Sequence, residues 1–319
     1  MTAFLPSPLA AGGHRQTLLG YWRRRSLEWR HVAEDIVVTA QDGVNLLLRA
    51  SWQPGPRAQR PALVLLHGLG ASDAAKYVVA AGQLAFARGW HVVRMNLRGA
   101  GDGVRHAPVL YNAGLDGDLA AVLEAVARQA PRVGVLGFSL GGNLALLLLG
   151  RRADRLPPRF VGAVGVSPPL DLAACATALE RPGNRLYQLY FMRNLRRAYR
   201  ERQGARPDVF APGLEQGVRT VREYDERITA PYGGYPSASD YYASSSAGPR
   251  LGAVRHPALV LAAWDDPLIP GESVARWPVS GSVTREMLPT GGHVGFVAPS
   301  DAPGGFWAAE RALDFLGEG

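Results

Sequence analysis

Short runs of apolar residues alternate along most of this chain with longer segments in which apolar and polar positions mix. The short runs are typical of strands buried on both faces, and they predict strands at residues 62–66, 91–95, 132–138, 161–166, 258–263 and 283–288. The longer segments predict helices at residues 76–88, 115–129, 141–150 and 306–315. This alternation predicts an α/β fold with a mostly parallel central sheet and helices on both faces.

Two extended runs near the start of the chain, residues 36–39 and 44–48, have a different pattern. They are separated by Gln41, Asp42 and Gly43, and an Asp-Gly turn between two such runs is typical of an antiparallel hairpin. Pro54, Gly55 and Pro56 then end the second run. The sheet is therefore predicted to begin with an antiparallel hairpin.

The alternation breaks after Asp171 and returns only at residue 258. Residues from about 177 to 249 contain helical pieces such as 186–202 and many Gly, Pro and Ser positions, but no clear strand. An insertion of this kind is typical of a lid over an active site. We predict a single domain over residues 1–319, in which about 177–249 form a helical cap or lid, because this length suits one large domain.

Candidate chemistry begins at Gly137-Phe138-Ser139-Leu140-Gly141, where one serine stands between two glycines after a predicted strand. This is the G-x-S-x-G pattern of a nucleophile elbow, a sharp turn that exposes the serine hydroxyl. The turn requires a positive φ at the serine, so side chains two residues before and after it would collide. The following helix directs its N-terminal amides toward the place where an anion would form.

A nucleophilic serine needs a base and an acid that orients the base. His293 follows the last predicted strand in a glycine-rich loop, whereas a loop histidine bonded to backbone is the alternative interpretation. Asp265 and Asp266 both follow the preceding strand; the Asp-Pro-Leu-Ile-Pro spacing favours Asp266 as the acid, with Asp265 capping the turn or facing solvent. The order Ser139, Asp266, His293 is that of α/β-hydrolases.

The oxyanion formed in acyl transfer needs two backbone N–H donors. Leu140, directly after the serine, is predicted to supply one. The His67-Gly68-Leu69-Gly70 turn after the first parallel strand is predicted to supply the other, from Leu69. His67 could be a second base, but in such a turn the more favoured interpretation is that it braces the loop.

The composition limits the classes of partner that the chain is expected to bind. The chain is 47% hydrophobic and 19% charged, as globular proteins are, and no apolar run reaches the roughly 20 residues that span a bilayer. The net charge is +8, and nearly all of the positive charge is arginine, which indicates a compositional bias, so nucleic-acid binding is not predicted. Arg23, Arg24 and Arg25 lie beside Tyr21, Trp22 and Trp29, and this cluster could contact phosphates or anionic lipid. A solvated basic face is the favoured interpretation, and weak peripheral membrane contact stays open as the alternative.

A single cysteine, Cys175, forms no internal disulfide and is interpreted as a small buried residue. Residues 1–8 lack the basic start and apolar stretch of a secretory signal, so the expected location is the cytoplasm. The other histidines show no metal-ligand spacing, and the predicted chemistry needs neither a metal nor a cofactor.

Several motifs together resemble the YheT-like branch of the α/β-hydrolases, which also includes eukaryotic membrane-associated lipases. The resemblance covers nearly the whole chain and rests on Phe4-Leu5-Pro6, Gly13-His14-Arg15-Gln16-Thr17, His67-Gly68-Leu69-Gly70, Asn96-Leu97-Arg98-Gly99-Ala100-Gly101, Tyr111-Asn112-Ala113-Gly114 through Asp118, Gly137 to Asn143, Ser167-Pro168-Pro169-Leu170-Asp171-Leu172, Asp240-Tyr241-Tyr242, Asp265-Asp266-Pro267 and Gly291-Gly292-His293-Val294-Gly295-Phe296. The chain departs from the family pattern at Arg15 and in the Pro- and Gly-rich tract 207–217.

The resemblance implies a serine hydrolase acting on short- to medium-chain acyl esters or lipids, with Ser139, Asp266 and His293 at the triad positions. Two alternatives stay open at this point. The same residues could transfer the acyl group to an alcohol or thiol, which would make the protein an acyltransferase. The chain could also be a non-catalytic binding member of the fold, although a complete set of triad residues argues against it.

Overall fold

Eight strands form one sheet in the computed structural model of this chain, which describes residues 3–299 and 306–317. Residues 1 and 2, part of the N-terminal stretch considered above, lie outside the described residues. The strands are β1 (Glu34–Thr39), β2 (Asn45–Ser51), β3 (Ala62–Leu66), β4 (His91–Met95), β5 (Val133–Phe138), β6 (Phe160–Val166), β7 (Ala258–Ala263) and β8 (Val283–Leu288).

The strand order is β1-β2-β4-β3-β5-β6-β7-β8, and the direction of pairing changes once along it. β1 pairs antiparallel with β2, and β2 antiparallel with β4. Every pair from β4 to β8 is parallel. The predicted fold class, a mostly parallel sheet that starts with an antiparallel hairpin, is confirmed.

Helices cover both faces of the sheet. They are α1 (Gly13–Arg24), α2 (Lys76–Ala87), α3 (Asp116–Ala127), α4 (Leu140–Arg151), α5 (Leu172–Leu179), α6 (Arg185–Ala205), α7 (Val221–Tyr224), α8 (Ala230–Tyr232), α9 (Ala238–Ser245), α10 (Gly271–Ala275) and α11 (Trp307–Gly317). In the described part of the chain, none of them has both the length and the hydropathy needed to cross a membrane.

Successive residues of the central strands point to opposite faces, which explains their continuous apolar runs. In β3, Val64 and Leu66 join a core shared with α3 and α4, whereas Leu63 and Leu65 join a second core shared with α2 and α11. Both cores are buried, so a polar residue at any of these positions would lose its hydration. The sheet is therefore the part of the fold that apolar patterning predicts best.

The chain between β6 and β7 is helical. It contains α5 to α9 and, between α7 and α8, one π-helical turn at Asp225–Thr229; the residues between β6 and β7, all of them described, form no strand. The helical segment starts at Leu172, before the predicted start near residue 177. Its longest helix, α6, extends slightly beyond the predicted 186–202 at both ends.

Apolar patterning does not predict α1, because the polarity of this helix is inverted. Its buried residues are two glycines and two polar side chains, Gly13, Gln16, Gly20 and Arg24. Its exposed residues include three large apolar ones, Leu18, Tyr21 and Trp22. An ordinary surface helix buries its apolar stripe and exposes its polar one.

A buried ion pair joins the loop after β4 to α3. Arg98 Nε donates to Asp118 Oδ2 at 2.7 Å, and Arg98 Nη1 donates to Asp42 Oδ2 of the hairpin turn at 2.8 Å. Asp118 is only 3% exposed. Burial raises the pKa of the Asp118 carboxyl, while the Arg98 guanidinium opposes that rise.

Replacing Arg98 tests how much this pair stabilises the fold. Arg98→Ala is expected to lower the free energy of unfolding by about 3–5 kcal/mol, because it leaves the Asp118 charge buried without a partner. Urea denaturation would measure the change. Arg197→Ala, which removes an exposed helical pair with Glu201, is the control and should cost less than about 1 kcal/mol. Equal losses in the two variants would contradict the argument.

Candidate active site

Ser139 lies at the junction of β5 and α4 in a strained backbone conformation. Its φ is 51° and its ψ is −122°, a region that residues with a side chain rarely adopt. A Cβ added to Gly137 would lie 2.2 Å from the carbonyl oxygen of Gly141. This clash explains why the G-x-S-x-G pattern has a glycine two residues before the serine.

The structure brings Ser139, His293 and Asp266 into one hydrogen-bonded line. The distance from Ser139 Oγ to His293 Nε2 is 3.0 Å, and that from His293 Nδ1 to Asp266 Oδ2 is 2.9 Å. The side chain of Asp266 is 1% exposed and that of His293 is 11% exposed. Because the carboxylate accepts from Nδ1–H, Nε2 is left to accept the serine proton.

The other oxygen of Asp266 is also held. Asp266 Oδ1 accepts hydrogen bonds from the backbone N–H groups of Leu268, at 2.8 Å, and Ile269, at 3.0 Å. Three donors in fixed positions therefore set the orientation of this carboxylate before any substrate binds.

Asp265 points to a different part of the same loop. Its Oδ1 accepts from the N–H groups of Gly291 and Gly292, both at 2.9 Å, and its Oδ2 accepts from the Thr290 hydroxyl. Asp266 is thus the carboxylate that contacts His293, and Asp265 caps the turn that leads to it. These are the two positions that the sequence interpretation weighed against each other.

Helix α1 holds the same loop from the other side through its inner polar face. Thr17 Oγ1 accepts from the N–H of His293 at 2.8 Å and donates to the carbonyl of Gly13 at 2.7 Å. Gln16 Oε1 accepts from the N–H of Val297 at 2.6 Å. Nothing in the spacing of residues 13–24 pointed to this role, although Gly13 to Thr17 is one of the motifs behind the family resemblance.

Arg24 belongs to this inner face, and the prediction of a solvated basic face is wrong for it. It is 4% exposed, and its guanidinium donates to the carbonyls of Val294, at 3.1 Å, and Gly295, at 2.6 Å. It also lies 3.7 Å from the centre of the Phe306 ring. The loop has carbonyls that need donors, and a buried guanidinium satisfies two of them.

The predicted oxyanion donors, Leu69 and Leu140, both line the cavity that contains Ser139. On either side of Leu69, the N–H groups of Gly68 and Gly70 donate to the hydroxyls of Tyr77, at 2.9 Å, and Tyr111, at 2.7 Å. Leu140 is the first residue of α4, where helical N–H groups have no carbonyl partner within the helix. Among the described residues, neither the Leu69 nor the Leu140 N–H has an acceptor.

His67 braces the turn that carries Leu69. Its Nδ1 lies 2.8 Å from the carbonyl oxygen of Gly68, and its Nε2 accepts from the N–H of Leu97 at 3.1 Å. Burial lowers the pKa of His67 to about 4, so the ring is neutral near pH 7. With both ring nitrogens bonded to backbone, His67 is unsuited to act as a second base.

A mostly apolar cavity of about 90 Å³ lies beside the serine. Helices between β6 and β7 supply much of its wall, including Leu172, Leu179, Phe191 and Val221. Cys175 lies there too, where burial raises the pKa of its thiol and keeps it protonated. The apolar wall next to the serine suits the hydrocarbon part of a ligand.

Asp225 is the exception in this apolar wall. It begins the π-helical turn, and its Oδ2 accepts from the Tyr242 hydroxyl at 2.7 Å. Burial raises its pKa from 3.8 to about 6, although the hydrogen bonds that it accepts oppose the rise. The cavity therefore contains one carboxyl group whose charge changes near pH 6.

The sequence is similar to those of proteins named as an esterase and a lipase. The profile of the family described as alpha/beta hydrolase fold matches residues 61–298. The Escherichia coli (strain K12) protein YheT, which carries the name of an esterase, is 32% identical over 98% of this chain and 92% of its own length. A monoacylglycerol lipase of Saccharomyces cerevisiae is 30% identical over 92% of this chain and 68% of that protein.

Solved structures show the same fold at lower sequence identity. The Pyrococcus furiosus esterase Pf2001 superposes with a TM-score of 0.59 at 16% identity, over 92% of this chain and 96% of that one. At this identity the likeness concerns the arrangement of the strands and helices alone.

Asp225 should make stability depend on pH. Its raised pKa means that the native state holds this proton more tightly than the unfolded chain, so stability falls as pH rises from about 4 to about 6. Asp225→Asn removes the charge. Its free energy of unfolding is expected to exceed that of the wild type by up to about 3 kcal/mol above pH 6, and to equal it near pH 4. Urea unfolding of both proteins between pH 4 and pH 8 would measure this difference.

Tyr242→Phe is the matched control, because it removes a hydrogen bond that favours the ionised carboxylate. In that variant the pKa of Asp225 should rise further, so stability should continue to fall up to a higher pH than in the wild type. A difference between wild type and Asp225→Asn that stays constant from pH 4 to pH 8 would contradict the assignment.

Proposed function

Because this chain belongs to the alpha/beta hydrolase fold family, within its YheT-like branch, we propose that it is a serine hydrolase that cleaves carboxylic esters. The family resemblance drawn from the motifs is confirmed by the 32% identity to YheT over nearly the full length of both chains. One observation carries the proposal: the hydrogen-bonded line from Ser139 through His293 to Asp266, next to two N–H groups that have no acceptor in the described part of the chain.

In the first half of the reaction Ser139 Oγ attacks the carbonyl carbon of the ester while His293 Nε2 takes the hydroxyl proton. Asp266 stabilises the imidazolium that forms. The carbonyl oxygen becomes an oxyanion and accepts hydrogen bonds from the N–H groups of Leu69 and Leu140. When this intermediate collapses, His293 returns the proton to the leaving oxygen, so an alcohol departs and the acyl group stays on Ser139.

Water completes the cycle. His293 takes a proton from a water molecule as it attacks the acyl carbon, and a second oxyanion forms at the same two N–H groups. Collapse of this intermediate releases the carboxylic acid, and the proton on His293 returns to Ser139. No step requires a group beyond these residues and water.

The cavity and the relatives support the proposed substrate class. Its small volume and apolar wall favour an acyl group of short to medium length. A relative named as a monoacylglycerol lipase supports glycerolipid esters as one form of that substrate. We assign α5 to α9 the role of the cap, since residues of α5, α6, α7 and α9 line the cavity beside Ser139.

Ser139→Ala tests the nucleophile. It is expected to lower kcat/KM for p-nitrophenyl butyrate by about 10⁴-fold or more, because a triad acts as a unit. The wild type should react covalently with a fluorophosphonate probe and Ser139→Ala should not. Ser239→Ala, an exposed serine on α9, serves as the control and should keep both properties. Residual activity close to the wild-type level in Ser139→Ala would disprove the assignment.

The two neighbouring carboxylates make a second test. Asp266→Asn is expected to lower kcat by about 10⁴-fold, because an amide cannot stabilise the imidazolium or keep the productive tautomer. Asp265→Asn should cost much less, since its oxygen can still accept from the N–H groups of Gly291 and Gly292. Steady-state kinetics on p-nitrophenyl butyrate would rank them, and the reverse order would exchange their roles.

A further inference from the structure

The outer face of α1 exposes large apolar side chains to solvent. Leu18, Tyr21 and Trp22 are each more than half exposed and lie on one side of the helix, at spacings of three and four residues. Three polar side chains of α1, Gln16, Thr17 and Arg24, face inward and bond to the backbone of the histidine loop. The loop therefore explains the inner face of the helix, but nothing in the described chain explains the outer one.

Helix α6 carries a second stripe of the same kind. Leu186, Leu189 and Tyr190 repeat the spacing of three and four residues, and each is more than half exposed. The two helices meet where the His14 ring stacks on Tyr187, with ring centres 5.7 Å apart and His14 Nδ1 3.2 Å from the Tyr187 hydroxyl. We call the six exposed residues, Leu18, Tyr21, Trp22, Leu186, Leu189 and Tyr190, the α1/α6 surface.

The charged side chains of α1 and of residues 185–200, the part of α6 that carries this surface, are all basic. Arg15 and Arg25 flank the apolar residues of α1, and Arg185 and Arg193 flank those of α6; all four are exposed. Neither α1 nor residues 185–200 contain an acidic side chain. An anionic partner would complement this rim.

A second copy of the chain fits this rim poorly. A twofold interface would place the same surface on both sides and bring arginine against arginine, with no carboxylate of α1 or of residues 185–200 between them. A lipid surface with anionic headgroups fits both features. Its interfacial region takes up Trp, Tyr and Leu side chains, and its phosphates attract arginine.

The same two helices contribute to the candidate site. Thr17 of α1 bonds to the backbone of His293, and Phe191 of α6 lines the cavity beside Ser139. We propose that the α1/α6 surface docks this protein on an anionic phospholipid surface, where an ester in the lipid layer lies next to the cavity. The docking is independent of the chemistry, whereas the delivery of an ester rests on the proposed function.

Vesicle flotation tests the docking directly. The wild-type protein should float with vesicles of phosphatidylcholine and phosphatidylglycerol, and bind about tenfold or more weakly to pure phosphatidylcholine or in 0.5 M NaCl. Trp22→Ser/Leu189→Ser should reduce binding to the anionic vesicles by about tenfold or more, because it removes one large apolar group from each helix. Affinities that do not depend on lipid charge would overturn the proposal.

The control is Val37→Ser/Val209→Ser, which changes two exposed apolar residues outside α1 and α6. It should bind vesicles as the wild type does, and equal losses in the two double variants would overturn the proposal. A wild-type dimer that dissociates in Trp22→Ser/Leu189→Ser, measured by light scattering in the absence of lipid, would show that a second copy covers the surface and would equally overturn it.

Hydrolysis of soluble p-nitrophenyl butyrate keeps the two proposals apart. Trp22→Ser/Leu189→Ser should retain it, since neither residue lines the cavity, and this retention shows that the variant is folded. If the wild type floats with anionic vesicles but hydrolyses no ester, the docking stands and the proposed function fails. If it hydrolyses the ester and does not float, the docking fails alone.

Discussion

The loop that carries His293 imposes the main constraint on the site, because its irregular backbone needs hydrogen-bond partners from elsewhere in the chain. Val294 and Phe296 have φ values of 56° and 44°, so the loop leaves regular structure just after the histidine. Asp265 accepts from two of its N–H groups, and Thr17 accepts from that of His293. Ser167, at the end of β6, accepts from that of Val294 at 3.1 Å. The position of the histidine thus depends on three separate segments.

This dependence explains which parts of the molecule the sequence predicts well. The central strands are buried on both faces, and that burial leaves a continuous apolar run that is visible without any tertiary information. Ser139 is visible for a similar reason, since its strained turn permits only glycine at Gly137. In both cases a local requirement produces a local pattern.

Helix α1 and the choice between two carboxylates cannot be predicted in this way, because both depend on contacts between distant parts of the chain. The inner face of α1 is polar because it satisfies a loop almost 280 residues away, as in the contact from Thr17 to His293. No periodicity within α1 reports that contact. Likewise Asp265 and Asp266 are adjacent in sequence and point to different donors. Spacing favours Asp266, but only the folded structure shows which of the two carboxylates contacts the histidine. The burial of Arg24 is likewise visible only in the folded structure, because composition alone does not indicate it.

Helix α1 packs closely against the loops that follow the strands, so a domain boundary that excludes α1 would remove part of the support for the site. A methyl group added to Gly13 would lie 1.6 Å from the carbonyl oxygen of Asp265, so the helix approaches the acid turn as closely as a backbone can. The sequence profile of the family, however, begins only at residue 61. A fragment cut at that limit would keep Ser139, Asp266 and His293 and discard the helix that anchors the histidine. The segment that the family profile recognises is therefore shorter than the segment needed to position the residues of the site.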